Sequence, residues 1–213
     1  MTRRSSLARL ADDTFHSVIL QFDAGVPETY HSCVRLLRDL ERKVSQARLD
    51  RATKRSLLAR VRTHLALLAS ETGDHHEADR LTANVLRFAA SDDPNFALAV
   101  LLRTQTLHSL GRHEEEIADG LRYADFAALA GSTLVYLLAE LARRHPDMMQ
   151  WKEAVVMRVK EYFEESREIA ELSRDVPSPE VNPRDYVLHV EDLMRKAGQK
   201  RTAQLLAEAE EEG

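Results

Sequence analysis

Apolar residues recur at steps of three and four along most of the chain. In the first such stretch, Leu7, Ala11, Phe15 and Val18 fall on one helical face. No segment shows the sustained two-residue alternation that is typical of a half-buried strand. The pattern therefore predicts an all-α protein of about ten helices, near residues 5–23, 27–47, 50–72, 74–90, 94–110, 112–129, 133–145, 148–173, 184–197 and 199–211.

Glycine and proline mark the ends of these segments. Gly73 and Gly111 each follow an apolar helical stretch, and Asp93-Pro94 precedes another. Asp74 is a predicted N-cap, with Glu77 as its partner in a capping box. Three prolines fall between Val176 and Pro183, which predicts one linker in the chain.

Two of the helix junctions are copies of each other. The stretch from Gly73 to Ala90 aligns without a gap with the stretch from Gly111 to Ala128, at an offset of 38 residues. The shared positions are Gly73/Gly111, His75/His113, Glu77/Glu115, Phe88/Phe126, Ala89/Ala127 and Ala90/Ala128. Repetition at this spacing indicates stacked helical hairpins.

The residues of these copies resemble the tetratricopeptide repeat (TPR) family over roughly residues 57–170. That family places a small residue in the first helix of each hairpin and a Gly-x-aromatic-x-Glu-Ala turn after it. This chain has Ala66 before Gly73-Asp74-His75-His76-Glu77-Ala78, then Thr104 before Gly111-Arg112-His113-Glu114-Glu115-Glu116, and Ala142 with Ala154 in a third copy. The resemblance implies antiparallel hairpins stacked as a right-handed superhelix.

The chain also departs from the family pattern. The period is 38 residues, against about 34 in the family. Glu116 stands where alanine is expected, and Met149 replaces the turn glycine of the third copy. An irregular helical bundle is the alternative. The expected organisation is a repeat domain at 1–175, a linker at 176–183, and capping helices with an acidic tail at 184–213.

Composition narrows the function classes. The 213 residues carry a formal net charge of −5, without the basic patch of a nucleic-acid-binding protein. No apolar run approaches the roughly 20 residues of a membrane helix, and no signal peptide is evident. Cys33 is the only cysteine, so a buried thiol in the cytoplasm is expected.

No catalytic motif or cofactor loop stands out, and we expect a protein that is not an enzyme and needs no cofactor. Phosphate-binding glycine loops are absent, and Cys33 and His31 lie on different helical faces. His75 and His113 occupy the aromatic position of the repeat turn, where we expect their rings to pack. His76 is adjacent to His75 and diverges from it by about 100° around the helix, so the two do not form a metal pair.

A metal site is the alternative function. Asp13 with His16, and Glu28 with His31, each place a carboxylate and an imidazole on one helix face. Helical bundles that bind two metal ions use such pairs, together with two further carboxylates. The interpretation with no metal is two exposed carboxylate–histidine pairs.

The resemblance implies a module that binds a protein or peptide in a groove lined by the first helix of each hairpin. The groove positions implied by the family pattern are Arg60, Thr63, His64, Leu67, Leu101, Gln105, His108, Glu140 and Arg143. The segment 184–211 either caps the last hairpin or folds back into this groove. A further alternative is a structural protein that forms a homodimer through an apolar face.

Overall fold

The computed structural model of the chain describes residues 3–23, 29–126, 129–147, 151–172, 177–180 and 182–211. Within these ranges the protein is all-helical and contains no strand, which confirms the prediction of an all-α protein. The helices are α1 (Arg3–Asp23), α2 (Tyr30–Gln46), α3 (Arg51–Glu71), α4 (His75–Phe88), α5 (Pro94–Ser109), α6 (His113–Ala124), α7 (Gly131–Arg144), α8 (Glu153–Glu165), α9 (Arg167–Ala170) and α10 (Pro183–Glu211).

The C-terminal third corrects two of the predicted boundaries. The predicted helices 184–197 and 199–211 are one helix, α10, which runs through Gly198. A glycine inside a helix costs only about 1 kcal/mol, which is too little to end it here. The predicted helix 148–173 ends earlier, at Glu165, and Ser166 separates it from the short α9. Met148 and Met149 lie outside the described residues.

The chain divides into two compact units, residues 1–116 and 117–213, and the division falls inside α6. The expected linker 176–183 lies within the second unit, and its residues 176 and 181 are outside the described part of the chain.

In the first unit, successive helices pack against each other, and α3 contacts both α4 and α5. Their core is made of the apolar stripes that the sequence pattern predicts. Burial of each large apolar side chain contributes about 1.5–3 kcal/mol relative to exposure. The fully buried members of this core include Phe15, Cys33, Leu37, Leu40, Val44, Val61, Ala66 and Leu68.

The two repeat turns of the first unit have the same backbone geometry. Gly73 and Gly111 adopt φ values of 80° and 70°, in the left-handed region where glycine is favoured. The backbone N–H of Asp74 donates to Ala69 at 2.8 Å, and that of Arg112 donates to Leu107 at 2.9 Å. Three further backbone hydrogen bonds recur at the same offset: Thr72 to Leu68 and Leu110 to Thr106, Gly73 to Ser70 and Gly111 to His108, and Ala78 to Asp74 and Glu116 to Arg112.

The N-terminus of α4 confirms the predicted cap but not the capping box. The side chain of Asp74 accepts a hydrogen bond from the backbone N–H of Glu77 at 3.1 Å. The Glu77 carboxylate pairs instead with Arg80 and with Arg38 of α2, at 2.6 Å in each case. Both arginine side chains are largely exposed, so the pairs contribute modestly to stability.

In the second unit, α7 packs against α8 and α10, and α10 also contacts α8 and α9. Gly120 of α6 lies close to Leu141 of α7, since a Cβ at this glycine would approach Leu141 Cδ1 to 2.5 Å. Gly120 therefore permits close packing between α6 and α7. Arg158 of α8 donates hydrogen bonds to the carbonyl oxygens of Ala124, Phe126 and Leu129 around the connection between α6 and α7.

Across the described helices, none combines the length and the apolar character needed to cross a membrane.

Candidate functional site

Two of the predicted groove residues of α3, Arg60 and His64, contact the aromatic ring of Phe15 on α1. The Arg60 guanidinium lies 3.9 Å from the centroid of that ring, and it also pairs with Asp12 at 3.4 Å. His64 packs against the same ring, with 5.1 Å between the ring centroids. Thr63 is fully buried, so the accessible part of this surface consists of Arg60, His64 and Leu67.

Burial lowers the pKa of His64 below its ordinary value, and the neighbouring Arg60 charge acts in the same direction. Its Nδ1 lies 2.8 Å from the carbonyl oxygen of Arg60, and this contact opposes the shift. The imidazole is therefore neutral at neutral pH and presents a mostly apolar ring to the surface.

An apolar cavity of about 220 Å³ lies between α1 and α3. Val18, Ile19 and Phe22 line it from α1, and His64, Leu67 and Leu68 line it from α3. Ile19 is 42% exposed, so the cavity is reached from solvent. Two of the predicted groove residues, His64 and Leu67, thus belong to one apolar depression.

On α5, Leu101 and His108 are half-buried, and Gln105 is exposed. On α7, Glu140 pairs with Arg143 and Arg144, both at 3.0 Å. Arg143 also pairs with Glu191 of α10, a carboxylate whose side chain is 3% exposed. Arg195 pairs with the same carboxylate at 2.6 Å. The structure therefore uses Arg143 to hold α10 against α7.

The residues of the predicted metal alternative lie on α1 and α2. Asp13 and His16 are exposed on α1, His31 is exposed on α2, and Glu28 lies outside the described residues. Cys33 is fully buried, as predicted, and burial raises the pKa of its thiol, which makes the thiol unreactive at neutral pH.

A different group of metal-ligand side chains meets at the second repeat turn. Glu116 is fully buried, and its Oε2 lies 3.1 Å from Nδ1 of His108 and 3.4 Å from Nδ1 of His113. The two imidazole rings are 5.1 Å apart between centroids, tilted by 48°. Ligand atoms of the three residues lie within 4.8 Å of one another. We name these residues the second-turn cluster.

The sequence pattern did not bring these three residues together. It placed His108 in the groove and His113 in the turn, and it noted Glu116 only as a departure from alanine. The sequence feature that could have indicated this cluster is a carboxylate at a buried repeat position, combined with histidines on both sides of a turn glycine.

No protein-family model, no curated protein and no solved structure matches the chain. The resemblance to tetratricopeptide repeats therefore stays a prediction that rests on the residues of the two turns.

Proposed function

We propose that this protein is a non-catalytic binding module, in which the hairpins of the first unit stack in the manner of tetratricopeptide repeats. Two observations support this arrangement. The two turns share their backbone hydrogen bonds at an offset of 38 residues, and α3 contacts both the partner in its own hairpin, α4, and the first helix of the next hairpin, α5. In such a stack α1, α3 and α5 line one surface.

The apolar cavity between α1 and α3 carries the proposal. One wall of the cavity belongs to α3, a helix that the repeat pattern assigns to the binding surface, and its rim includes the exposed Ile19 of α1. An apolar depression with an exposed aliphatic side chain at its rim is typical of a surface that another protein covers.

We assign the cavity to an apolar side chain from a peptide or helix of a partner protein. At about 220 Å³ it is smaller than the roughly 300–1,000 Å³ of pockets that enclose small-molecule ligands. Arg60 and Asp12 form a charged pair, and Arg60 contacts the same Phe15 ring as the cavity-lining His64, which suits a polar rim around an apolar anchor. Helix-in-groove recognition combines these same two elements.

The test compares two neighbouring positions on α1. Peptides selected from a random library against the full chain are measured by fluorescence polarisation with the wild-type protein, Ile19→Glu and Leu20→Glu. We expect Ile19→Glu to weaken binding at least about tenfold, because a carboxylate at the cavity rim is desolvated by an apolar anchor. Leu20 does not line the cavity, so Leu20→Glu is the matched control and should bind as the wild type does.

Equal binding by Ile19→Glu and the wild type would refute the proposed surface, as would selected peptides without an apolar anchor residue. A second copy of the chain is the other candidate occupant. Light scattering identifies it if the wild type is a dimer and Ile19→Glu is a monomer, and that result would also replace the peptide proposal.

A further inference from the structure

We propose that the second-turn cluster, His108, His113 and Glu116, binds a divalent transition-metal cation, for which Zn²⁺ is the reference ion. This site is separate from the α1–α3 cavity and from the predicted pairs Asp13/His16 and Glu28/His31. Two imidazole nitrogens and one carboxylate oxygen form a recurrent set of protein ligands for zinc.

The spacing of the ligand atoms fits such an ion. Zinc bonds to nitrogen and oxygen are about 2.0–2.1 Å long, which places neighbouring ligands of a tetrahedral site about 3.3 Å apart. The distances from Glu116 Oε2 to Nδ1 of His108 and His113 are 3.1 and 3.4 Å. Both imidazoles therefore present Nδ1 at the distance from the carboxylate that tetrahedral coordination requires.

The backbone holds the three ligands in place. His108 lies in the last turn of α5, and His113 and Glu116 lie in the first turn of α6. Gly111 connects them at a φ of 70°, and hydrogen bonds from Gly111 to His108 and from Arg112 to Leu107 close the turn. Because both helix ends are fixed by this turn, little conformational freedom is lost when an ion binds.

The burial of Glu116 gives the cation an energetic role. A carboxylate removed from water is stable only if a positive charge or several hydrogen-bond donors compensate it. Nδ1 of His108 and Nδ1 of His113 both lie within hydrogen-bond distance of this carboxylate. A bound cation would supply compensating positive charge, with each neutral imidazole offering its Nδ1 lone pair.

The ligand set also selects the class of ion. Mg²⁺ and Ca²⁺ favour oxygen ligands, whereas imidazole nitrogen favours Zn²⁺, Co²⁺, Ni²⁺ or Cu²⁺. The His113 side chain is 48% exposed, which gives an ion a route from solvent to the buried carboxylate.

The first repeat turn supplies a control of the same geometry. Its corresponding positions are Ser70, His75 and Ala78, so it keeps one histidine and lacks the other two ligands. His75→Ala removes a histidine from the same place in the turn as His113→Ala does.

The experiment uses the full chain after treatment with a chelator, with Zn²⁺ titrated by calorimetry at about pH 7.5. We expect one ion per chain at the cluster, affinity at least about tenfold weaker in His113→Ala and in Glu116→Gln, and unchanged affinity in His75→Ala. Co²⁺ should give visible absorption bands of low-coordinate cobalt that are lost in His113→Ala, and Mg²⁺ should not bind.

Three results would overturn the proposal: no Zn²⁺ binding by the wild type at about 100 μM, equal affinity in the wild type and His113→Ala, or an equal loss in His75→Ala. The first would leave the cluster as a hydrogen-bonded support for a buried carboxylate. His113 is partly exposed, so its variant tests the site even if Glu116→Gln does not fold.

Discussion

The first repeat turn, residues 68–78, and the second, residues 106–116, share the same backbone geometry but differ in their side chains. Their four backbone hydrogen bonds coincide at an offset of 38 residues, and both contain a glycine with positive φ. Among the side chains that differ are Ser70 against His108 and Ala78 against Glu116, and in the second turn these two residues are in contact. The backbone of this turn is therefore kept when the chemistry of its side chains changes.

The histidine that both turns share has two different environments. Nδ1 of His75 is buried, and no group in the described part of the chain forms a hydrogen bond with it. Nδ1 of His113 contacts the carboxylate of Glu116. The presence of a carboxylate at the fourth residue of the helix therefore changes a packed ring into a member of a polar cluster.

The largest expected effect comes from giving the first turn the residue of the second. Ala78→Glu introduces a carboxylate at a fully buried position in a turn that has Ser70 where the second turn has His108. We expect a loss of about 3 kcal/mol or more in the free energy of unfolding, because the buried charge is not compensated. Urea denaturation monitored by circular dichroism measures it.

The double variant Ser70→His/Ala78→Glu is the control for that prediction. It rebuilds the second-turn residues on the first turn and should recover part of the lost stability. If the double variant is no more stable than Ala78→Glu alone, the two turns are not equivalent surroundings for the cluster.

A smaller effect on stability is expected from replacing the glycine with positive φ that both turns contain. Gly73→Ala and Gly111→Ala should each cost about 1–2 kcal/mol, since a side chain is disfavoured at positive φ. No atom lies within 4 Å of a Cβ built at either glycine, so the cost is one of backbone conformation alone. Thermal or urea unfolding should give similar losses at the two sites, and a clear inequality would show that one turn is under additional strain.

The smallest effect distinguishes the glutamates of the two turns. Hydrogen bonds from Arg80, and then from Arg38, hold the pKa of Glu77 below its ordinary value, and Arg112 lowers that of Glu115 in the same way. Glu77 pairs with arginines of two helices, Arg38 of α2 and Arg80 of α4. The more exposed Glu115 pairs with Arg112, three residues before it. We expect Glu77→Gln to cost at most about 1 kcal/mol at neutral pH, and Glu115→Gln to cost less.

The pH dependence of stability tests whether the charge of Glu77 causes this effect. A carboxylate whose pKa is lowered by folding stabilises the protein above its unfolded value of about 4.3, and this contribution disappears as the pH falls through the folded value. The difference between the wild type and Glu77→Gln should therefore be present at pH 7 and vanish in strong acid. A difference that persists there would assign the effect to packing.

The sequence predicted the repeat turn well because its signals are local. Gly73 and Gly111 terminate helices by backbone conformation, and Asp74 caps α4 with its own side chain. The second-turn cluster was not predicted, because His108 and Glu116 are eight residues apart, and only the folded turn brings them into contact. The cavity between α1 and α3 was also beyond the sequence, since it depends on how two helices distant in the chain are packed.

The second unit shows where local signals mislead. The break predicted between residues 197 and 199 is absent, because α10 continues through Gly198. A glycine inside a helix lowers its stability, yet Gly120 allows α6 and α7 to approach each other. Arg143 resembled a groove residue by family pattern, and its interaction with Glu191 of α10 depends on a segment 48 residues further along the chain.

The position of Arg158 in the chain also determines when its hydrogen bonds can form during synthesis. Its guanidinium joins the carbonyl oxygens of Ala124, Phe126 and Leu129, all of which leave the ribosome about 30 residues earlier. At a synthesis rate of about 5–20 residues per second, the connection between α6 and α7 waits seconds for the side chain that fastens it. The connection between α6 and α7 is therefore complete only after α8 has been synthesised.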